Sequence, residues 1–313
     1  METEEEEELD EPTDIACQLR SKNIFLPELI LMKQKTFLIS ISLFFFLTGN
    51  GLVLMGQTEG SIFKKSTYKN KITLFTGYHF SKSQDLIFSD MIYKGHSGST
   101  IGLEYERITR KGIHWIRGAF DKANVESTKL ISFEGFEGTQ SRQASDALQA
   151  NISYGYGRLL TSSEAFRFYL GGMLETKVHL TNYQFGLSEN DGYLIANSVN
   201  AWLRTEYQLD EKNSVQAALY FPLLSWIGRS EYSIVDNEEI QYEGSDFGFI
   251  YKKAELNSWS SYKAWNMAFS FSHTFSPALG FNIRYQLDYL RHTDPLAISV
   301  LKNHFDLGFS LKL

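Results

Sequence analysis

The chain has 313 residues, 15% aromatic and 21% charged, with 24 Phe, 17 Tyr, 5 Pro and a single Cys. So aromatic a composition excludes a disordered chain, a collagen repeat and a coiled coil, and one cysteine excludes a disulfide-stapled scaffold. The formal charge of -7 is local: residues 1–31 hold ten acidic side chains against Arg20 and Lys22, which leaves residues 32–313 at +1, so the acidic balance says nothing about partners.

In chain order, the like-charge run Glu4 to Glu8 precedes a basic start, Met32-Lys33-Gln34-Lys35, and an apolar run over 36–47. That run is too short to span a bilayer comfortably, and the polar, small residues after it complete the pattern of a secretory signal. The expected organisation is an upstream extension or disordered acidic tail over 1–31 and a signal peptide over 32–56. A short periplasmic segment follows over 57–67, then one domain over 68–313. Cleavage near Gly56/Gln57 would leave the mature chain without Cys17 and so without any disulfide or lipid anchor on cysteine.

From residue 72 onward the chain breaks into segments with period-two alternation, the signature of strands. They fall at 72–80, 100–108, 113–120, 148–156, 166–179, 193–207, 215–227, 265–275, 281–289 and 305–313. In 166–179, Phe166, Phe168, Leu170, Leu174 and Val178 share one face, and Arg167, Tyr169, Glu175, Lys177 and His179 share the other. Segment 113–120 alternates poorly, because Arg117 falls on the face of Ile113 and Trp115, and Pro222 weakens the ladder within 215–227. Short links at 109–112, 159–164, 209–213 and 276–278 alternate with longer ones at 81–97, 121–146, 180–191, 229–259 and 293–299. This rhythm predicts an all-β, up-and-down antiparallel transmembrane barrel of about ten strands, within a range of eight to twelve.

Alternation alone does not say which face meets solvent. Ten strands enclose little volume, and apolar residues from every strand would overfill it, so the apolar face is expected to meet lipid and the polar face to line the lumen. The aromatics Tyr154, Tyr156, Tyr193, Tyr207, Trp226, Trp265 and Tyr289 near strand ends suit an interfacial girdle. With its signal, its strand and loop rhythm and its C-terminal strand 305–313, the chain resembles Gram-negative outer-membrane β-barrel proteins. It departs from them in ending on Leu313 instead of Phe. The resemblance implies a cell outer membrane location and a monomer. Its implied partners are outer-membrane lipids, lipopolysaccharide and the barrel assembly machinery during biogenesis, with no cofactor.

The lumen-lining polar set is expected to comprise Glu104, Glu106, Arg167, Glu175, Lys177, Arg204, Glu206, Arg284, Asp288, His304 and Asp306, with Lys312. Both signs interleave, which suits a ladder of ion pairs filling the barrel or, with the same residues, the wall of a narrow selective pore. A last hairpin turning about Leu296 would bring Asp288 opposite or diagonal to His304, half of a catalytic triad without a serine to complete it. His79-Phe80-Ser81 resembles the His-x-Ser of outer-membrane phospholipases and lipid A deacylases. Lys82 stands where those families carry Asn, and His79 and Ser81 face inward if Ile72 and Leu74 face lipid. Omptin-type proteases also have ten strands, but His292-Thr293-Asp294 matches their rim only distantly and in inverted order. The acidic loop 229–259 shows no EF-hand spacing, and no metal site or nucleic-acid patch is expected. The sequence therefore favours a structural, adhesive or narrow-channel barrel without catalysis, with a lipid hydrolase using His79 and Ser81 as the alternative.

Overall fold

The computed structural model describes residues 69–88, 91–128, 132–135, 138–141, 144–185, 188–230 and 254–313. The expected tail, signal peptide and periplasmic segment lie outside these residues, as does most of the acidic loop. Thirteen strands follow in order: β1 (Asn70–Asp85), β2 (Tyr93–Ile108), β3 (Gly112–Ser127), β4 (Ser132–Gly135), β5 (Gly138–Ser141), β6 (Ala144–Ser162), β7 (Phe166–Phe185), β8 (Ser188–Gln208), β9 (Asn213–Arg229), β10 (Glu255–Asn257), β11 (Tyr262–Thr274), β12 (Leu279–His292) and β13 (Ile298–Lys312).

Ten long strands pair antiparallel with their neighbours, and the ring closes where β13 meets β1, with Phe309 opposite Leu74 and Asp306 opposite Gly77. Closure pairs β13 with β1 and so removes the two edges an open sheet would leave there. β4 and β5 form a separate two-stranded ribbon between β3 and β6. The irregular place is β9. β11 pairs with it only as far as Asn266 opposite Tyr220, and β10 takes over the same edge with Asn257 opposite Ser225. Pro222 lies between, without an N–H to donate, and the β8 side slips register at Val199/Asn200, opposite it.

Tight turns join the strands at the end that holds both described termini. Asp210 anchors the β8–β9 turn: its carboxylate accepts from the Asn213 side-chain amide at 2.7 Å and from the Lys212 and Asn213 backbone N–H groups at 2.8 Å each. The Asn213 amide first, then the backbone donors, hold this carboxyl below its ordinary pKa, so the turn is held most firmly above that range and loosens as pH falls through it.

The strands are longer than the alternation suggests. The expected long link 180–191 is mostly ladder, since β7 runs to Phe185 and β8 starts at Ser188. Side chains alternate as strand geometry requires. On β13, Phe305, Leu307, Phe309 and Leu311 point outward, Phe309 being 69% exposed, while His304, Asp306 and Ser310 are buried inside. Leu74, Leu103, Ile152, Leu174 and Ile283 continue this apolar belt around the ring. The volume argument needs one refinement, because the interior also takes apolar groups. Ile113, Trp115, Tyr169, Met173, Trp202 and Tyr220 form a buried cluster, and Ile113 and Trp115 share the inward face with Arg117. That packing is why β3 alternates poorly in sequence.

Candidate functional site

Toward the tight-turn end, charges from six strands meet across the lumen. Glu106 of β2, fully buried, lies 2.6 Å from Arg204 of β8 and 3.3 Å from Lys71 of β1. Arg117 of β3 bridges Asp306 of β13 at 2.8 Å and Glu104 of β2 at 3.4 Å, and Arg284 of β12 reaches the same Glu104 oxygen at 2.9 Å. The Arg117 guanidinium also lies over the Phe75 ring, 3.8 Å from its centroid. Arg117 is thus held on one side by carboxylates and on the other by a π face, which fixes it across the barrel. Gly102 makes room for this stack, since a side chain there would overlap the Phe75 ring.

The next layer is a polar belt that register alone assembles. His79 of β1 stands opposite His304 of β13 and opposite Gly98 of β2; Thr100 of β2 stands opposite Asp121 of β3; Asp121 opposite Gln149 of β6; Gln149 opposite His179 of β7. Asp288 of β12 pairs with Lys302, which puts His304 on the diagonal with its Nε2 3.1 Å from Asp288 Oδ2. Lys302 Nζ donates to Asp121 Oδ2 at 3.1 Å and to Gln149. Lys177 pairs with Glu175 at 3.3 Å and donates to Asn266 at 3.1 Å. Farther from the tight turns, Arg229 meets Asp85 at 2.5 Å, and Phe88 stacks on Tyr183 with ring centroids 4.6 Å apart.

Of the lumen residues expected from sequence, Glu104, Glu106, Glu175, Lys177, Arg204, Glu206, Arg284, Asp288, His304 and Asp306 are all buried in the interior. Arg167 is partly open and sits 3.8 Å from Glu206 near the mouth, and Lys312 donates there to Thr274 at 2.5 Å. Sequence reasoning missed Lys71, Asp121, Gln149 and Lys302, and treated Arg117 as a flaw. Strand parity was the available signal for Lys71, which shares its face with Phe75 and His79.

His79 is buried inside the barrel. Its Nδ1 meets Thr100 Oγ1 at 3.2 Å, and its Nε2 lies against Gly98, so neither nitrogen addresses Ser81. His292 is buried at the end of β12 while Asp294 is exposed in the following turn.

No protein-family model matches the chain, and no curated protein matches it in sequence. Among solved structures it is similar to the outer membrane protease OmpT from Escherichia coli, with a TM-score of 0.51 and 8% identity over 82% of this chain and 100% of that one. It is also similar to the translocator domain of the autotransporter NalP from Neisseria meningitidis, with a TM-score of 0.42 and 8% identity over 88% of this chain and 98% of that one. A third similar structure is the beta domain of the Bordetella autotransporter BrkA, with a TM-score of 0.40 and 10% identity over 78% and 99%. The fold is that of an outer-membrane β-barrel with ten strands in the ring. The likeness to the protease is one of fold alone.

Proposed function

We propose that this protein is an outer-membrane barrel closed to solute flow, which acts as a scaffold presenting the strand extensions at its long-hairpin end for adhesion or binding at the cell surface. The observation that carries this reading is the cross-lumen bridge of Arg117 to Glu104 and Asp306, joined by Arg284. A buried bridge of this kind blocks the passage, and opening it would leave charges unpaired in a narrow interior. Strand length supports presentation: β7 and β8 have 20 and 21 residues, where roughly 9–11 suffice to cross a bilayer. The outer face would contact membrane lipid, including lipopolysaccharide, after insertion as a monomer by the barrel assembly machinery.

In planar bilayers the purified protein is expected to give no steady conductance. A large, stable open-channel current would overturn the closed reading. Incubated with phospholipid or lipid A, with and without calcium, the refolded protein is expected to release no fatty acid, because neither His79 nitrogen serves Ser81 as a base. Release that disappears in Ser81→Ala and persists in Ser83→Ala would instead establish the hydrolase.

A further inference from the structure

We propose that His79, His304 and Asp121 form a binding site for a divalent transition metal of the zinc class, set inside the barrel. One donor atom from each of the three residues lies within 4.8 Å of the other two, and all three side chains are buried. They come from three adjoining strands and are brought together by register: His79 opposite His304 across β1–β13, with ring centroids 5.3 Å apart, and Asp121 opposite the Thr100 that holds His79.

The atoms a metal needs are the ones the protein leaves unspent. His79 uses Nδ1 on Thr100, which leaves Nε2 buried without a hydrogen-bond partner. Asp121 gives Oδ2 to Lys302, and its Oδ1 is likewise buried and unpartnered. His304 Nε2 faces Asp288 Oδ2 at 3.1 Å, so ligation through that nitrogen would exchange this contact for a bond to the ion. Buried polar atoms of this kind are costly, and two of them on residues whose donor atoms gather within 4.8 Å are well explained by a common ligand. A hydroxyl behind an imidazole, Thr100 on Nδ1 of His79, is the outer-shell arrangement that orients a metal-binding histidine.

Donor chemistry selects the ion. Two imidazoles and one carboxylate suit zinc, cobalt or nickel, whereas calcium and magnesium call for oxygen ligands throughout. A tetrahedral zinc with bonds of about 2.0–2.1 Å holds its donors roughly 3.4 Å apart, so side-chain rotation must close the present spacing. A cavity of about 30 Å³ beside the cluster, lined by His79, His179, Gln149 and Lys302, is large enough to hold a water as a further ligand. Gly98 is required because any side chain there would overlap the His79 ring.

The test is calorimetric titration of the refolded full chain in detergent with ZnCl2 alone, beside MgCl2 and CaCl2, with barrel formation checked by heat-modifiable gel mobility. One saturable zinc site per chain is expected, weakened at least about 10-fold in His79→Gln and in Asp121→Asn and unchanged in His114→Ala. Because the Lys302 ammonium competes for Asp121, Lys302→Met is titrated in parallel. Absence of saturable zinc binding in both wild type and Lys302→Met would overturn the proposal, as would binding that survives both site substitutions or is matched by calcium. Should a site variant fail to fold, CoCl2 added to the unmutated protein provides the second measurement. Ligand-field absorption of nitrogen and oxygen coordination, displaced by zinc, is the expected result, and a spectrum unchanged from aqueous cobalt overturns the site.

Discussion

Glu106→Gln is expected to destabilise the folded barrel by about 3–5 kcal/mol, the usual consequence of removing one partner from a buried ion pair. Glu106 is fully buried, with Arg204 at 2.6 Å and Lys71 at 3.3 Å. Taking away its charge leaves two cations facing each other's field across a narrow lumen, while the side-chain volume is nearly unchanged, so packing is not the variable. Arg167→Gln is the control. Its contact with Glu206 is longer, at 3.8 Å, and partly open, so a loss of no more than about 1 kcal/mol is expected there. Both are read from urea unfolding midpoints in lipid vesicles, followed by tryptophan fluorescence, since Trp115 and Trp202 stack 5.9 Å apart in the interior cluster. Equal small losses at the two positions would mean that water fills the lumen and screens the Glu106 pairs.

The contrast between Glu106 and Asp121 also shows what a sequence can reveal of such a barrel. Glu104 and Glu106 alternate with Leu103 and Tyr105 in β2, and the outward apolar residues announce the strand and assign the inward ones at once. Alternation of this kind exists only where one face is apolar. Beyond Phe120 and Phe80 the outward residues turn polar while the backbone ladder continues, so the hydrophobic period disappears although the strand does not. For that reason Asp121 reads as the start of a loop, and the 180–191 ladder reads as a link. Lys302 falls into the gap between a link and a strand in the same way. Asp121, the missed member of the candidate metal site, lies in this region. His79 and His304 were legible as inward residues, but their meeting depends on β1–β13 closure, a contact between the two ends of the barrel domain that no local pattern encodes.

The strongest test of which face meets lipid is a charge placed on the outside. Leu174 of β7 is 58% exposed, and on neighbouring strands it faces Tyr154 and Val199, with further apolar residues, Leu170 and Leu180, along β7 on either side of it. It therefore lies well inside the apolar belt. In water, exchanging an exposed leucine for arginine would be nearly neutral and would favour solubility. In a bilayer the guanidinium must be carried into hydrocarbon, at about 2–4 kcal/mol near the midplane and about 0–1 kcal/mol near the interface. Leu174→Arg is accordingly expected to lower stability in vesicles by about 2–4 kcal/mol, while Leu160→Arg, close to the tight turn that ends β6, should cost no more than about 1 kcal/mol. The measurement is reversible folding into vesicles against urea, with the same variants compared in short-chain detergent, where the depth dependence should shrink. Equal and negligible losses at both positions would show that the belt is not held in hydrocarbon, and would remove the basis for placing this barrel in a membrane.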